Sequence, residues 1–208
     1  MTAIRSLIHD KTLLLGTSNR KKIIEMETLL QPRGFRLKTP ADFPEPLDVE
    51  ESGITFIENA RIKAVAQARA RGMWAIGEDS GLCVPALGGK PGVISARYSG
   101  AGATDASNNS KLLTAMQGIP ECDRAAYYVS TIVLCAPDGT IAIETAGECW
   151  GRILESERGA GGFGYDPLFE VTEYHRTFAE LGLNVKRAIS HRSRALREFL
   201  RQLDTITH

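Results

Sequence analysis

The stretch from residue 12 to residue 30 constrains the fold more than any other. Residues 12–17 form an apolar run that stops at small polar residues. Asn19 then precedes apolar positions at Ile23, Ile24, Met26, Leu29 and Leu30. The first pattern reads as a short buried strand, and the second has the spacing of one helical face. A strand, a tight turn and a helix in immediate succession need a sheet for the helix to cover, which points to an α/β architecture.

The rest of the chain fits that start. Residues 39–60 hold Pro40, Pro44 and Pro46, six acidic residues and no lysine or arginine, so their first half is expected to be a loop. Thr55 followed by Glu58 has the spacing of a capping box. Ile54, Ile57, Ala60, Ala64 and Ala68 continue one helical face to about Arg71. Residues 73–77 read as a second buried strand ending at Glu78 and Asp79. Residues 105–117 read as a helix stopped by Gly118. Residues 125–136 and 140–147 read as strands joined through Pro137, Asp138 and Gly139, a hairpin. The last helix is expected from Ser190 to Leu203, with Ala195, Leu196, Phe199, Leu200 and Leu203 facing the core. Alternating helices and strands followed by a hairpin favour a mixed sheet. Residues 1–11 read as an arm ahead of a single domain over 12–208.

Composition narrows the classes of function. Over 208 residues, 25 lysines and arginines balance 25 acids. A binder of nucleic-acid polymer is usually basic overall, so none is expected. A small anion needs only a local basic cluster. No apolar run approaches the ~20 residues that span a bilayer, so no membrane partner is expected. Cys83, Cys122, Cys135 and Cys149 form no CxxC pair and read as reduced thiols of a cytoplasmic protein.

Several constellations could carry chemistry. At Thr17-Ser18-Asn19-Arg20-Lys21-Lys22, unpaired N–H groups at a helix start favour phosphate and Lys22 adds charge. A capped helix with solvated lysines accounts for the same residues. Glu78-Asp79-Ser80-Gly81 offers adjacent carboxylates of the kind that suit a hard cation shared with phosphate. An Asx-type turn explains it equally well. Glu50 and Glu51 precede a helix, where acids suit the dipole, and could also supply a metal ligand. In Gly162-Phe163-Gly164-Tyr165-Asp166, glycines beside aromatics let backbone approach a flat ligand, unless the rings simply fill the core. Lys186 and Ser190-His191-Arg192 place cations at the opening of the last helix, against its dipole, which an anion or carbonyl docking there would explain. A basic solvated face continued by Arg194, Arg197 and Arg201, with His191 a structural histidine, accounts for the same residues.

Taken together, these segments resemble the inosine triphosphate pyrophosphatase family, also called XTP/dITP diphosphatases. The matching residues run in order: TSNRKK at 17–22, EESGITFIENARIKA at 50–64, EDSGLCV at 78–84 and GGKPGVISARYSG at 88–100. KLL at 111–113, GGFGYDPLF at 161–169, TFAEL at 177–181 and KRAISHRSRAL at 186–196 complete the series. The resemblance implies an elongated α/β mixed-sheet fold with two lobes around a central nucleotide cleft, and a homodimer. It implies Mg2+-dependent hydrolysis of ITP, dITP and XTP to the nucleoside monophosphate and pyrophosphate, which cleanses the nucleotide pool. By the same resemblance, Thr17, Ser18, Asn19, Arg20, Lys21 and Lys22 form the phosphate turn. Glu50 and Asp79 hold the metal, and Asp79 is also the base. Ser80 contacts substrate. Phe163, Gly164, Tyr165 and Asp166 hold base and sugar, and Lys186, His191 and Arg192 read the purine. Two positions depart from the family pattern: Glu78 stands where aspartate is frequent, and Ser18 where glycine is frequent.

Two other functions stay on the table at this level. One is a related pyrophosphatase acting on pyrimidine or modified nucleotides. The other is a non-catalytic nucleotide sensor or RNA-binding module. The joint presence of Lys22, Glu50 and Asp79 speaks against the second.

Overall fold

The computed structural model describes residues 10–45 and 47–207, without the side chains of Lys21 and Thr207. Most of the expected arm, and the side chain of Lys21, therefore lie outside the described residues. Seven strands form one sheet: β1 (Thr12–Leu15), β2 (Arg36–Lys38), β3 (Ala75–Cys83), β4 (Ala125–Cys135), β5 (Ile141–Ile153), β6 (Phe169–Val171) and β7 (Arg176–Thr177). Their order is β2-β1-β3-β4-β5-β6-β7. β1 runs parallel to both β2 and β3, while β5–β6 and β6–β7 are antiparallel. The longer helices among the described residues, apart from short 3-10 turns, are α1 (Arg20–Leu30), α2 (Phe56–Arg71), α3 (Asp105–Ala115), α4 (Phe178–Ile189) and α5 (His191–Thr207). The expected mixed-sheet α/β class is what forms. No helix among the described residues is long and apolar enough to cross a membrane.

Two compact units divide the chain. The first takes the chain up to Asp79, Thr131–Ala146 and Ala195 onward. In it, Leu13 and Leu15 of β1 pack with Met26 and Leu30 of α1 and with Leu196, Phe199, Leu200 and Leu203 of α5. Leu14 points the other way, to Ala60, Ala64 and Ala68 of α2. Successive strand side chains alternate between faces, so one short strand serves both helical layers. Ile24 was expected in the core but is exposed on the outer side of α1.

α2 is seated unusually close to the sheet. Its buried apolar residues are alanines, and a Cβ at Gly77 of β3 would overlap the Ala60 carbonyl. The helix begins with the expected capping box: Thr55 Oγ1 accepts from the Glu58 N–H at 3.3 Å, and Glu58 Oε2 accepts from the Thr55 N–H at 3.0 Å. It ends at Gly72, in the left-handed conformation with φ 61°.

The second unit comprises Ser80–Ser130 and Gly147–Arg194. Its core gathers Leu82, Leu112, Met116, Tyr128, Tyr165, Leu168, Phe169 and Phe178. Buried Glu170 is satisfied by Arg152 Nε at 2.7 Å and Arg158 Nη2 at 2.5 Å, so the carboxylate is paired on both oxygens.

Three expectations about elements need correction. The strand read over 73–77 starts at Ala75 and continues through Glu78 and Asp79 to Cys83, so the carboxylates are inside a strand rather than at its end. A polar run inside β3 is stable because α1 and α2 supply partners for it. The strand read over 140–147 extends to Ile153 by strict alternation of buried and exposed residues. Lys186 does not open the last helix; it lies near the end of α4, which Ser190 separates from α5.

Candidate active site

The first unit brings four charged groups to the middle of β3. Adjacent strand residues point to opposite faces, and Glu78 and Asp79 accordingly find different partners. Glu78 Oε2 pairs with Lys22 Nζ of α1 at 2.5 Å. Asp79 Oδ1 pairs with Lys63 Nζ of α2 at 3.0 Å, and Asp79 Oδ2 accepts from Asn59 Nδ2 at 3.3 Å. Asn59 and Lys63 are four apart and share one helical face. The small side chains between α2 and β3 let that face reach the strand. Lys63 Nζ also lies 3.3 Å from Glu51 Oε1.

Asp79 is 6% exposed. Burial pushes its carboxyl pKa up; the charges of Lys63 and Lys22 and the Lys63 hydrogen bond pull it down, and burial prevails. A carboxylate with a raised pKa beside two ammonium groups is suited to accept a proton.

The expected metal pair is arranged differently from the simplest picture. Glu50 is exposed, and it is the neighbouring Glu51 whose carboxylate meets Lys63. Among the described residues no three acidic, histidine or cysteine side chains converge as a ready-made cage. The Asp79 carboxylate offers oxygen ligands, each bonded to Lys63 or Asn59, and the Glu51 carboxylate is a further partner of Lys63. Such a set suits Mg2+, which takes one or two carboxylates and fills its remaining positions with water and phosphate.

The turn before α1 is built as the helix start requires. Thr17 Oγ1 accepts from the Asn19 N–H at 3.2 Å, and the Ile23 N–H bonds the Asn19 carbonyl at 3.0 Å. Ser18, Asn19 and Arg20 are exposed, and Thr17 and Lys22 half-buried.

The second unit holds the remaining expected residues. Arg192 Nη2 donates to Ser80 Oγ at 3.1 Å. Lys186 Nζ pairs with Asp166 Oδ2 at 2.5 Å, and that oxygen also accepts from the Phe163 N–H at 2.9 Å. Lys186 Nζ lies 4.0 Å from the Phe163 ring centroid. Gly162 has φ 78°, and a Cβ there would strike the Asp166 carboxylate, so only glycine fits. Tyr165 and Asp166 are buried, with the Tyr165 hydroxyl donating to the Ser95 carbonyl at 2.7 Å. Phe163 and Gly164 are the half-exposed members of the loop. The Gly164 N–H is held by Asp105 Oδ2 at 2.8 Å. His191 lies flat on the Tyr128 ring, centroids 4.8 Å apart.

Sequence reasoning passed over Asn59, Lys63, Asp105 and Tyr128 as site residues. Asn59 and Lys63 carried a signal: with Gln67 they form a polar row at spacing four beside the buried alanines of α2. Asp105 and Tyr128 carried none, because their partners are 59 residues or more away in the chain.

The Ham1 family model matches residues 13–202. The chain belongs to the Ham1 family. As a Ham1 protein it is 47% identical over 191 residues to the dITP/XTP pyrophosphatase of Rhodopirellula baltica, covering 92% of each chain. It is 50% identical over 184 residues to the dITP/XTP pyrophosphatase of Geobacter sulfurreducens, covering 88% of this chain and 92% of that one. Its fold matches a HAM1 protein from Coxiella burnetii with a TM-score of 0.87 at 39% identity, over 93% of this chain and 98% of the other. The Staphylococcus aureus Ham1 protein follows at a TM-score of 0.86 and 34% identity, with the same coverage. The resemblance that the sequence motifs carry is thus a family membership, and it spans both units.

Proposed function

We propose that this Ham1 protein is a nucleoside triphosphate pyrophosphohydrolase for noncanonical purine nucleotides, among them dITP, XTP and ITP. It releases pyrophosphate and the nucleoside monophosphate. It uses Mg2+ and works as a homodimer in the cytoplasm, where it clears the nucleotide pool. The observation that carries this reading is Asp79, a buried carboxylate with a raised pKa, set against Lys63 and Asn59. Relatives named dITP/XTP pyrophosphatases, matched over nearly their whole length, support it.

Asp79 accepts the proton of the water that attacks the α-phosphorus. Lys63 holds the Asp79 carboxylate in place and offsets part of the upward shift that burial imposes on it. Lys22, with the N–H groups and side chains at Thr17, Ser18, Asn19, Arg20 and Lys21, binds the phosphates and stabilises charge on the departing pyrophosphate. Glu50 and Asp79 would hold the metal, and Glu51 pairs with Lys63 at 3.3 Å. When bound, Mg2+ neutralises phosphate charge and orders the reacting groups.

On the base side, Phe163 offers a ring face, and Ser80, Lys186, His191 and Arg192 supply donors or hold them. Hypoxanthine and xanthine carry a carbonyl at position 6, where adenine carries an amino donor. A site of buried donors pairs with the carbonyl and leaves adenine facing donor against donor.

The test is pyrophosphate release from ITP, dITP, XTP, ATP, GTP and a pyrimidine triphosphate with Mg2+. Turnover of ITP, dITP and XTP well above ATP is expected. Equal rates on ITP and ATP would overturn the specificity, and ITP binding with no release would make the chain a sensor instead.

A further inference from the structure

Tyr128 sits on β4 with 8% of its surface exposed, so it has little to offer a ligand directly. Its contacts are with groups placed above on the base side. Its ring is stacked on His191 at an interplanar angle of 12° and a centroid distance of 4.8 Å. Phe169 at 4.8 Å and Phe178 at 6.1 Å tilt against it and fix its own plane. The Tyr165 backbone hydrogen-bonds its oxygen. Burial pushes the phenol far up, so at neutral pH it stays a neutral ring. One buried side chain on a rigid strand thus touches both the first residue of α5 and the loop that carries Phe163 and Gly164.

A histidine at a helix start has a ring free to turn unless something packs against it. His191 is 4% exposed, so only a small edge could meet a base. Whether that edge presents its nitrogen in a useful direction depends on the plane of the ring. The Tyr128 face sets that plane.

We propose that Tyr128 is a positioning residue for purine selection: its stacked ring holds the plane of His191 fixed. This rests on the assignment of His191 to the base side above. Loosening the stack lets the His191 donor lose direction. The base then binds more weakly, and the carbonyl is less well told from the amino group. The chemistry at Asp79 is left alone.

The experiment is steady-state pyrophosphate release from ITP and ATP by the parent protein, Tyr128→Phe, Tyr128→Leu and Tyr128→Met. Failure of the parent to turn over ITP would overturn the proposed function and is read separately. With an active parent, Tyr128→Leu should raise KM for ITP about tenfold, leave kcat within about threefold and lower the ITP-to-ATP ratio of kcat/KM about tenfold. Tyr128→Phe, which keeps the ring face, should stay within about threefold of the parent in all three. A purely structural loss reduces the folded fraction, lowering kcat for both substrates together while KM and the ratio stay put; that outcome overturns the proposal. So does a Phe variant as impaired as the Leu variant. If the leucine chain does not fold, Tyr128→Met fills similar volume without a ring face and carries the same readout.

Discussion

Lys63 Nζ stands 3.0 Å from Asp79 Oδ1, on a helix that can come so near only because the sheet residue beneath Ala60 is glycine. The pair joins a buried cation to a buried carboxylate 16 residues later. Breaking one partner of such a pair is expected to matter more than the pair is worth as a whole.

Asp79→Asn removes the proton acceptor and keeps the shape. Turnover of ITP should fall about 10²–10⁴-fold. Far-UV circular dichroism should be unchanged. Survival of full activity would mean that another group takes the proton.

The pH profile follows from the direction of the Asp79 shift. Burial raises its pKa, so the group stays protonated, and inactive as a base, to higher pH than an ordinary aspartate. Activity should therefore be present above that pKa and be lost as pH falls through it. Lys63→Met removes the cation that pulls the value down, so the acid limb of kcat/KM should move to higher pH. A limb that stays in place, or moves to lower pH, would show that Asp79 is not the titrating group.

Gly77→Ala puts a methyl group into the Ala60 carbonyl. Overpacking of this kind costs about 1–3 kcal/mol. It also pushes α2, with Asn59 and Lys63, away from Asp79. Chemical denaturation should show the lost stability, and kcat should fall with it. Gly72→Ala at the end of the same helix would strain the left-handed turn but should leave kcat near the parent value.

The thiols should separate by burial. Cys122 is exposed, while Cys83, Cys135 and Cys149 are buried, with the Cys149 thiol pushed up to about 11 by burial. The native protein should react at one thiol with Ellman's reagent at pH 8, and at four in denaturant. More than one fast thiol in the native state would contradict this packing.

Much of the fold was legible before any coordinates. The opening β1–α1 unit, the capping box at Thr55 and Glu58, and the buried face of α5 all follow from local pattern, and each lies where the pattern placed it. β2, β6 and β7 were not legible, being only two or three residues long. Strands that short carry no periodicity and exist because a neighbour pairs with them. α4 escaped notice because Gly182, with φ 75°, interrupts its pattern. The polar stretch at Glu78–Ser80 reads locally as a turn, yet it is strand because its partners lie on other elements.

What the sequence determined by itself was the kind of chemistry: which segments carry carboxylates, lysines, glycines and aromatics, and the family that their order and spacing resemble. What only the tertiary structure decided was the pairing. Glu78 meets Lys22 and Asp79 meets Lys63, Glu51 reaches Lys63 while Glu50 stands exposed, and Tyr128 lies under His191. Periodicity says which way a side chain faces on its own element. The partner it meets, and the burial that shifts its pKa, depend on how closely separate elements pack, as the glycine beneath Ala60 shows.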